Sequence, residues 1–174
     1  PAGIPGIDGD NVVTAWEVLA GTSEAAIASD VLIVGGGLVA CELADFLADT
    51  DDNTGAATTR VTMIEMQPLM ATQSVDEIRH LVMQRLVSKG VQMINGATVN
   101  EILDDGVIYT NGDGNKETIR GVEYIILAMG SSPHDKLSAA LQNTTAEVHV
   151  IGDAKKVARI LEATSAAAEL ASKI

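Results

Sequence analysis

The amino-acid sequence predicts an α/β fold: a parallel sheet with helices, plus a three-stranded antiparallel β-meander. Three observations lead there. Short, mostly apolar runs lie at residues 31–34, 61–64, 91–94 and 124–128, the first of them unbroken, which suits strands covered on both faces in a parallel sheet. Helix-forming stretches separate the first three runs, so the order β-α-β-α-β describes an α/β layout. Between residues 97 and 119 the apolar period changes to two. It runs through Val99, Glu101 and Leu103, then Val107-Ile108-Tyr109-Thr110, then Glu117-Thr118-Ile119, with turn residues at Asp105-Gly106 and Asn111-Gly112. That is the pattern of hairpin-linked strands.

The elements follow in order. Residues 1–10 carry Pro and Gly too densely for a helix or an internal strand. Thr14 suits the N-cap of a short helix over residues 15–20, which Gly21 would end; residues 22–29 receive no assignment. After the first apolar run, residues 38–48 have helical composition, with Leu43, Phe46 and Leu47 spaced for one buried stripe. A polar loop over residues 49–59 precedes the second strand, which ends at Glu65. Ser74-Val75-Asp76-Glu77 fits a capping box. Val75, Ile78, Leu81, Val82, Leu86 and Val87 then recur at helical spacing up to a stop at Gly90. Past the meander and the run at 124–128, we expect a short helix over 134–141 and a buried strand over 148–151. An Ala-rich helix over residues 155–173 closes the chain.

Composition narrows the function. Hydrophobic residues make up 47% of the 174-residue chain, enough to bury a core and too many for disorder. The net charge of −13 repels phosphate backbones and anionic lipid heads, so no nucleic acid and no membrane partner is expected. No apolar stretch is long enough to span a bilayer. The opening Pro1-Ala2-Gly3-Ile4-Pro5-Gly6 lacks the charged and apolar regions of a signal peptide. Cys41 is the single cysteine. It excludes an internal disulfide or a CxxC redox pair and points to a reducing, cytoplasmic setting. Aromatics are 2% of residues, which leaves no stacking platform for bases. With a Pro/Gly-rich opening and no initiator Met, the chain reads as a piece of something longer.

One motif carries chemistry. Gly35-Gly36-Gly37-Leu38-Val39-Ala40 matches G-x-G-x-x-G/A after an expected strand and at the start of an expected helix. Gly35 allows a tight turn, Gly37 lets a pyrophosphate approach the backbone, and Ala40 lets helix and strand pack closely. Free N–H groups and the helix dipole then face the phosphates. The second strand ends at Glu65, 25 positions after Ala40, where an acid accepts hydrogen bonds from adenosine ribose hydroxyls. The polar loop accounts for the wider spacing. Met66-Gln67-Pro68 follow with no arginine cluster for a 2′-phosphate, so NADH is favoured over NADPH. The bland alternative is a tight glycine turn with Glu65 merely exposed at a strand end.

At these residues the sequence resembles a known family. The stretch from Gly35 through Glu42-Leu43-Ala44 looks like the GGGxxxxExA start of the NADH-binding domain in two-dinucleotide-fold flavoprotein reductases, the pyridine nucleotide-disulfide oxidoreductase superfamily. Ala128-Met129-Gly130-Ser131-Ser132-Pro133 is similar to that domain's closing A-x-G-x-x-P segment, and Val148-His149-Val150-Ile151-Gly152-Asp153 to the C-terminal FAD motif. Ile4-Pro5-Gly6-Ile7-Asp8-Gly9, with Thr14-Ala15-Trp16-Glu17-Val18-Leu19, resembles the linker into the NADH domain. Within the superfamily, Glu147 to Lys156 followed by Ile160-Leu161-Glu162-Ala163 is most like NADH:flavin oxidoreductases of the 2,4-dienoyl-CoA reductase and enoate reductase type.

The resemblance implies a Rossmann-like dinucleotide-binding fold, an FAD/NAD(P)-binding ββα sandwich. It divides the chain into a linker with a short helix (1–29), an NAD(H)-binding domain (30–133) and a C-terminal segment resembling the end of an FAD-binding domain (134–174). It places Gly35, Gly37 and Ala40 at the NADH pyrophosphate and Glu65 at the adenosine ribose, with Gly36, Leu38, Val39 and Met66 as further cofactor-binding residues. Glu42 would lie near the nicotinamide, Gly130 would approach the nucleotide from the other side, and Gly152 and Asp153 would contact FAD. The implied activity is hydride transfer from NADH to FAD, with electrons passing to a second flavin or substrate domain absent from this chain. The implied partners are an upstream FAD half-domain and a flavin barrel with FMN and an iron–sulfur cluster, and the isolated chain is expected to be inactive. The sequence departs from the pattern in having one glycine fingerprint, no redox cysteine pair and no iron–sulfur cysteines.

Several residues have plainer readings. Cys41 suits a small buried thiol. His80, His134 and His149 show no metal-ligand spacing. Asp104-Asp105-Gly106 and Asn111-Gly112-Asp113-Gly114 are explained by turn chemistry. Glu42 could be a first-turn acid on the helix dipole, and the Gly152-Asp153 pair a turn that caps the next helix. The rival to an oxidoreductase is a non-catalytic module that binds ADP or NAD in a structural or regulatory role.

Overall fold

The computed structural model describes residues 3–49, 59–141 and 147–174; the polar loop expected over 49–59 lies almost wholly outside them. The chain divides into two units, Pro1–Met129 and Gly130–Ile174.

In the first unit β1 (Val12–Thr14), β2 (Asp30–Val34), β3 (Arg60–Glu65), β4 (Gln92–Asn95) and β8 (Tyr124–Leu127) form one sheet in the order β1-β8-β2-β3-β4. Every pairing in it is parallel. β5 (Thr98–Leu103), β6 (Gly106–Thr110) and β7 (Lys116–Arg120) make the antiparallel meander. The connections are α1 (Ala15–Leu19), a 3₁₀ turn at Glu24–Ile27 within the unassigned stretch, α2 (Leu38–Leu47) and α3 (Asp76–Ser88). The expected fold class is therefore the observed one, with β1 as an additional strand. Three residues beside a Pro/Gly-rich stretch carry too little pattern to announce a strand, and β1 exists because β8 offers it a free edge.

The period of two along the strands sorts the sheet between two cores. Val31, Ile33, Val61, Met63 and Ile126 face the layer of α1, α2 and α3. Leu32, Val34, Ile64 and Ile125 face the meander, where Val99, Ile102, Val107 and Tyr109 meet them. Ile4 and Ile7 from the Pro/Gly-rich opening and Val12 of β1 pack on this second core, and the Ile102 N–H donates to the Pro5 carbonyl at 2.8 Å.

The helices agree with expectation in place more than in detail. Thr14 caps α1 through the Glu17 N–H, and the Glu17 carboxylate accepts from the Thr14 N–H at 2.7 Å. In α2 the buried stripe is Ala40, Cys41, Leu43, Ala44 and Leu47, whereas Phe46 is exposed. That stripe packs in the core beneath the sheet, and Phe46 falls outside it. The capping box at Ser74 does not form: Val75 is the N-cap of α3, with no side-chain hydrogen bond. The chain before it is instead anchored at Ala71, whose carbonyl accepts from the Ser74 N–H. Of the apolar residues expected to line α3, only Leu86 is buried; Val75, Ile78, Leu81 and Val87 are exposed.

The second unit holds α4 (Ser138–Leu141), a 3₁₀ turn at Gly152–Ala154 and α5 (Ile160–Ala171). The short helix expected over 134–141 is limited to its last four residues. The strand expected over 148–151 is absent: these residues join no strand ladder among the described residues, and Val148 and Ile151 are exposed. An apolar run becomes a strand only when a neighbour accepts and donates its ladder hydrogen bonds. The closing helix begins at Ile160 rather than at residue 155, because Asp153 holds residues 154–158 in a turn by accepting from the Ala158 N–H at 3.2 Å.

Candidate functional site

The glycine turn sits at the carboxyl end of β2, between β3 and β8, where strand order reverses and α/β sheets open a crevice for ligands. Both neighbours hold it. The Gly35 N–H donates to the Ile64 carbonyl at 2.8 Å, and the Ala128 N–H donates to the Val34 carbonyl at 2.9 Å.

Three successive glycines are needed for three different reasons. Gly35 has φ +117°, a region that disfavours side chains, and a Cβ there would lie 2.8 Å from the Ala128 carbonyl carbon and nearer still to its oxygen. Gly36 is buried under its neighbours. A Cβ on it would lie 2.8 Å from Glu65 Cβ and Cγ and from Met70 Cγ. Its N–H donates to Glu65 Oε2 at 2.5 Å and its carbonyl accepts from the Ala71 N–H at 2.7 Å. Gly37 is the N-cap of α2, and a Cβ there would meet nothing closer than the Gln73 amide at 3.8 Å. Only the third glycine keeps space clear outside the protein.

Gly37 offers α2 no side-chain cap, and the first helical bond is the Cys41 N–H to the Gly37 carbonyl at 3.0 Å. The N–H groups of Leu38, Val39 and Ala40 therefore have no preceding turn to donate to. At the positive end of the helix dipole, such donors suit an anion. Ala40 is fully buried, so its small size is a packing requirement, while Leu38 is half-buried and Val39 exposed.

Glu65 ends β3 beside the turn, half-buried. Oε2 takes the Gly36 N–H, and Oε1 takes the Gln67 N–H at 2.7 Å. An ionised carboxylate accepts about four hydrogen bonds, so both oxygens keep capacity for a ligand's hydroxyls. Met66, the next residue, is exposed. The turn residues and Glu65 are thus brought together from two strands, as their spacing suggested.

The remaining candidates are more dispersed. Glu42 is exposed on α2, but the first turn of that helix contains no acid, so the dipole explanation for Glu42 does not hold. Cys41 is buried; burial first, then the Glu42 and Glu65 charges, push its thiol up to about 11, the behaviour of an inert packed thiol. Gly130, Gly152 and Asp153 belong to the second unit. There Gly130 is exposed, Gly152 has φ +59°, and exposed Asp153 spends Oδ1 on the Ala158 N–H. Asp153 closes that turn and does not cap α5, whose N-cap is Arg159. The pattern also failed to point out the segment after β3. Met70 and Ala71 are buried against the turn and Gln73 stands over Gly37, yet no motif marks them.

Comparison with known proteins follows this geometry. A family profile for pyridine nucleotide-disulphide oxidoreductases matches residues 1–167. An NADH oxidase of Thermoanaerobacter brockii is 35% identical over 174 residues, covering 98% of this chain and 26% of the relative. A metal reductase of Desulforamulus reducens is 31% identical over 182 residues, covering 92% of this chain and 27% of the relative. A solved 2-naphthoyl-CoA reductase, in complex with 2-naphthoyl-CoA, matches with a TM-score of 0.85 and 25% identity over 100% of this chain and 25% of its own. The chain spans about a quarter of the length of these relatives. A parallel sheet with an inserted meander, a glycine turn backed by a strand-end glutamate, and a profile running through nearly every residue agree on one assignment: the chain belongs to the pyridine nucleotide-disulphide oxidoreductase family.

Proposed function

We propose that this chain is the NAD(H)-binding portion of a flavoprotein oxidoreductase, holding NADH for hydride transfer to FAD. The observation that carries the reading is the pairing of an uncapped helix start at Gly37 with a carboxylate, Glu65, that still has acceptor capacity. The first suits a pyrophosphate and the second a ribose diol. The name of the Thermoanaerobacter brockii relative, NADH oxidase, points the same way.

Reduced nicotinamide would supply the hydride and a flavin would accept it; the protein's part is position and electrostatics. The N–H groups of Leu38, Val39 and Ala40 would orient the phosphates. Glu65 would accept from the adenosine ribose and repel a 2′-phosphate, favouring NADH over NADPH. Glu42 would lie toward the nicotinamide, and Gly130 on the far side of the nucleotide. For FAD, the Gly152–Ala154 turn leaves Asp153 Oδ2 to accept a ribityl hydroxyl, which fits the group. The second flavin or substrate domain, the FMN and the iron–sulfur cluster belong to this proposal as features of the longer proteins.

Calorimetric titration of the chain with NADH, NADPH and ADP tests it. NADH should bind more tightly than either, and Glu65→Ala should narrow the NADH/NADPH gap by about tenfold, the scale of one charge-assisted hydrogen bond. Equal affinity for ADP and NADH would instead assign a passive adenine-nucleotide module. An unchanged gap in Glu65→Ala would remove Glu65 as the ribose acceptor.

A further inference from the structure

The segment between β3 and α3 is fastened to the glycine turn more firmly than a connection requires. Gly36 receives it through the Ala71 N–H on its carbonyl, beside the Glu65 carboxylate that ends β3 and accepts from the Gly36 N–H. Met70 and Ala71 are buried, and Ala71 is the one described non-glycine residue with positive φ, at +52°. A side-chain-bearing residue adopts that conformation rarely, and persists in it when its surroundings over-determine it. Here the two hydrogen bonds of Ala71, its N–H to Gly36 and its carbonyl from the Ser74 N–H at 3.0 Å, do so.

What this fastening presents is Gln73. Its Oε1 and Nε2 lie 3.8 and 3.9 Å from where a Gly37 Cβ would be, over the one glycine of the three that faces open space. The side chain is exposed, and its amide makes no hydrogen bond among the described residues. With no partner among the described residues, its donor and its acceptor are both open to a ligand. On the reading that NADH occupies the turn, we propose that Gln73 is a further dinucleotide-binding residue, its Nε2 donating to an oxygen of the pyrophosphate that α2 holds from the other side. The backbone donors of the helix start would grip one face of the phosphate bridge and a side-chain donor the other. The amide lies close enough that it must swing outward as the ligand enters, which an exposed side chain does at little cost.

The test titrates Gln73→Ala, Gln73→Glu and Gln73→Lys with NADH, ADP and adenosine, and includes Gly37→Val. Gln73→Ala should weaken NADH and ADP by about tenfold, the usual loss of a hydrogen bond to a charged acceptor. Gln73→Glu should weaken them further, and Gln73→Lys should match or exceed the native affinity. Adenosine, which has no phosphate, should bind all four proteins carrying Gly37 alike, and melting temperatures should stay together because Gln73 supports nothing else. Native-like NADH and ADP binding in Gln73→Ala, with binding lost in Gly37→Val, would overturn the role of Gln73 and leave the nucleotide site standing. Intact NADH binding in Gly37→Val would remove the site itself.

Discussion

The turn after β2 follows the apolar run 31–34, the turn at Gly152–Ala154 follows Val148-His149-Val150-Ile151, and each begins with a glycine of positive φ. Their surroundings differ. Residues 31–34 run between two parallel neighbours and are buried, with hydrogen bonds from β3 and β8 closing around Gly35. Residues 148–151 join no strand ladder among the described residues, and the turn beyond them is held by short-range bonds. The Lys155 and Lys156 N–H groups donate to the Gly152 carbonyl, and the Ala158 N–H donates to Asp153. A turn sewn into a sheet is rigid before any ligand arrives, which is the condition for holding a phosphate bridge in one place. A turn made from its own residues has only local bonds to give up.

The largest expected consequence lies at the first residue of each turn. Gly35→Ala combines an unfavourable φ with a collision against the Ala128 carbonyl, both backbone, so neither can relax alone. Chemical denaturation should show a loss of about 3 kcal/mol or more. Gly152→Ala meets only Ala163 Cβ at 3.7 Å, an ordinary contact, and should cost about 1 kcal/mol for its φ alone. Equal losses would break the distinction between the two turns.

A smaller effect tests the runs that lead into them. Val31→Ala removes two methyl groups from a fully buried position and should cost about 2 kcal/mol. Val148→Ala, at a position 38% exposed, should stay within about 0.5 kcal/mol. A Val148→Ala loss as large as that of Val31→Ala would mean the second run is packed as tightly as a strand.

The same contrast explains which parts of the structure could be read from the sequence. Strands β2, β3, β4 and β8, the meander and the glycine turn with Glu65 were legible because each carries a pattern of its own: a short, mostly apolar run, a period of two, or a spacing of glycines and acid. The runs at 31–34 and 148–151 look alike on paper because hydropathy records burial preference and leaves out the partner. Phe46 and the Val75, Ile78, Leu81 and Val87 series show the same gap. Helical spacing identifies a stripe, but which residues a helix buries depends on the surface it meets. Ser74 and Glu77 satisfy a capping box on spacing, yet the prior commitment of the Ser74 N–H to Ala71 fixes the chain differently. The contribution of Ala71 and Gln73 to the site was illegible for a further reason. A positive φ at an alanine arises from tertiary bonds to Gly36, and no residue type announces it.

The smallest expected effect compares charges instead of turns. In the first unit, Asp45 on α2 accepts from Arg85 Nε of α3 at 2.6 Å and pairs with Nζ of Lys89, the C-cap of α3, at 2.9 Å. In the second, Glu162 pairs with Arg159 only three residues away. Burial raises the Asp45 pKa, but the hydrogen bonds and charges of Lys89 and Arg85 outweigh it and hold the carboxyl below its ordinary value. The stability it provides is therefore complete above the unfolded value of about 3.9 and is lost as pH falls through the lower folded value. After solvent screening, Asp45→Asn should cost about 0.5–1 kcal/mol near neutral pH, and the native and variant curves should converge below about pH 4. Glu162, fully exposed, is also held low, chiefly by its hydrogen bond to Arg159. That bond joins a helix to its own cap, so Glu162→Gln should shift unfolding less than Asp45→Asn. The reverse order in a pH-resolved denaturation series would show that the helical layer of the first unit owes nothing to the α2–α3 charges and is held by its apolar contacts alone.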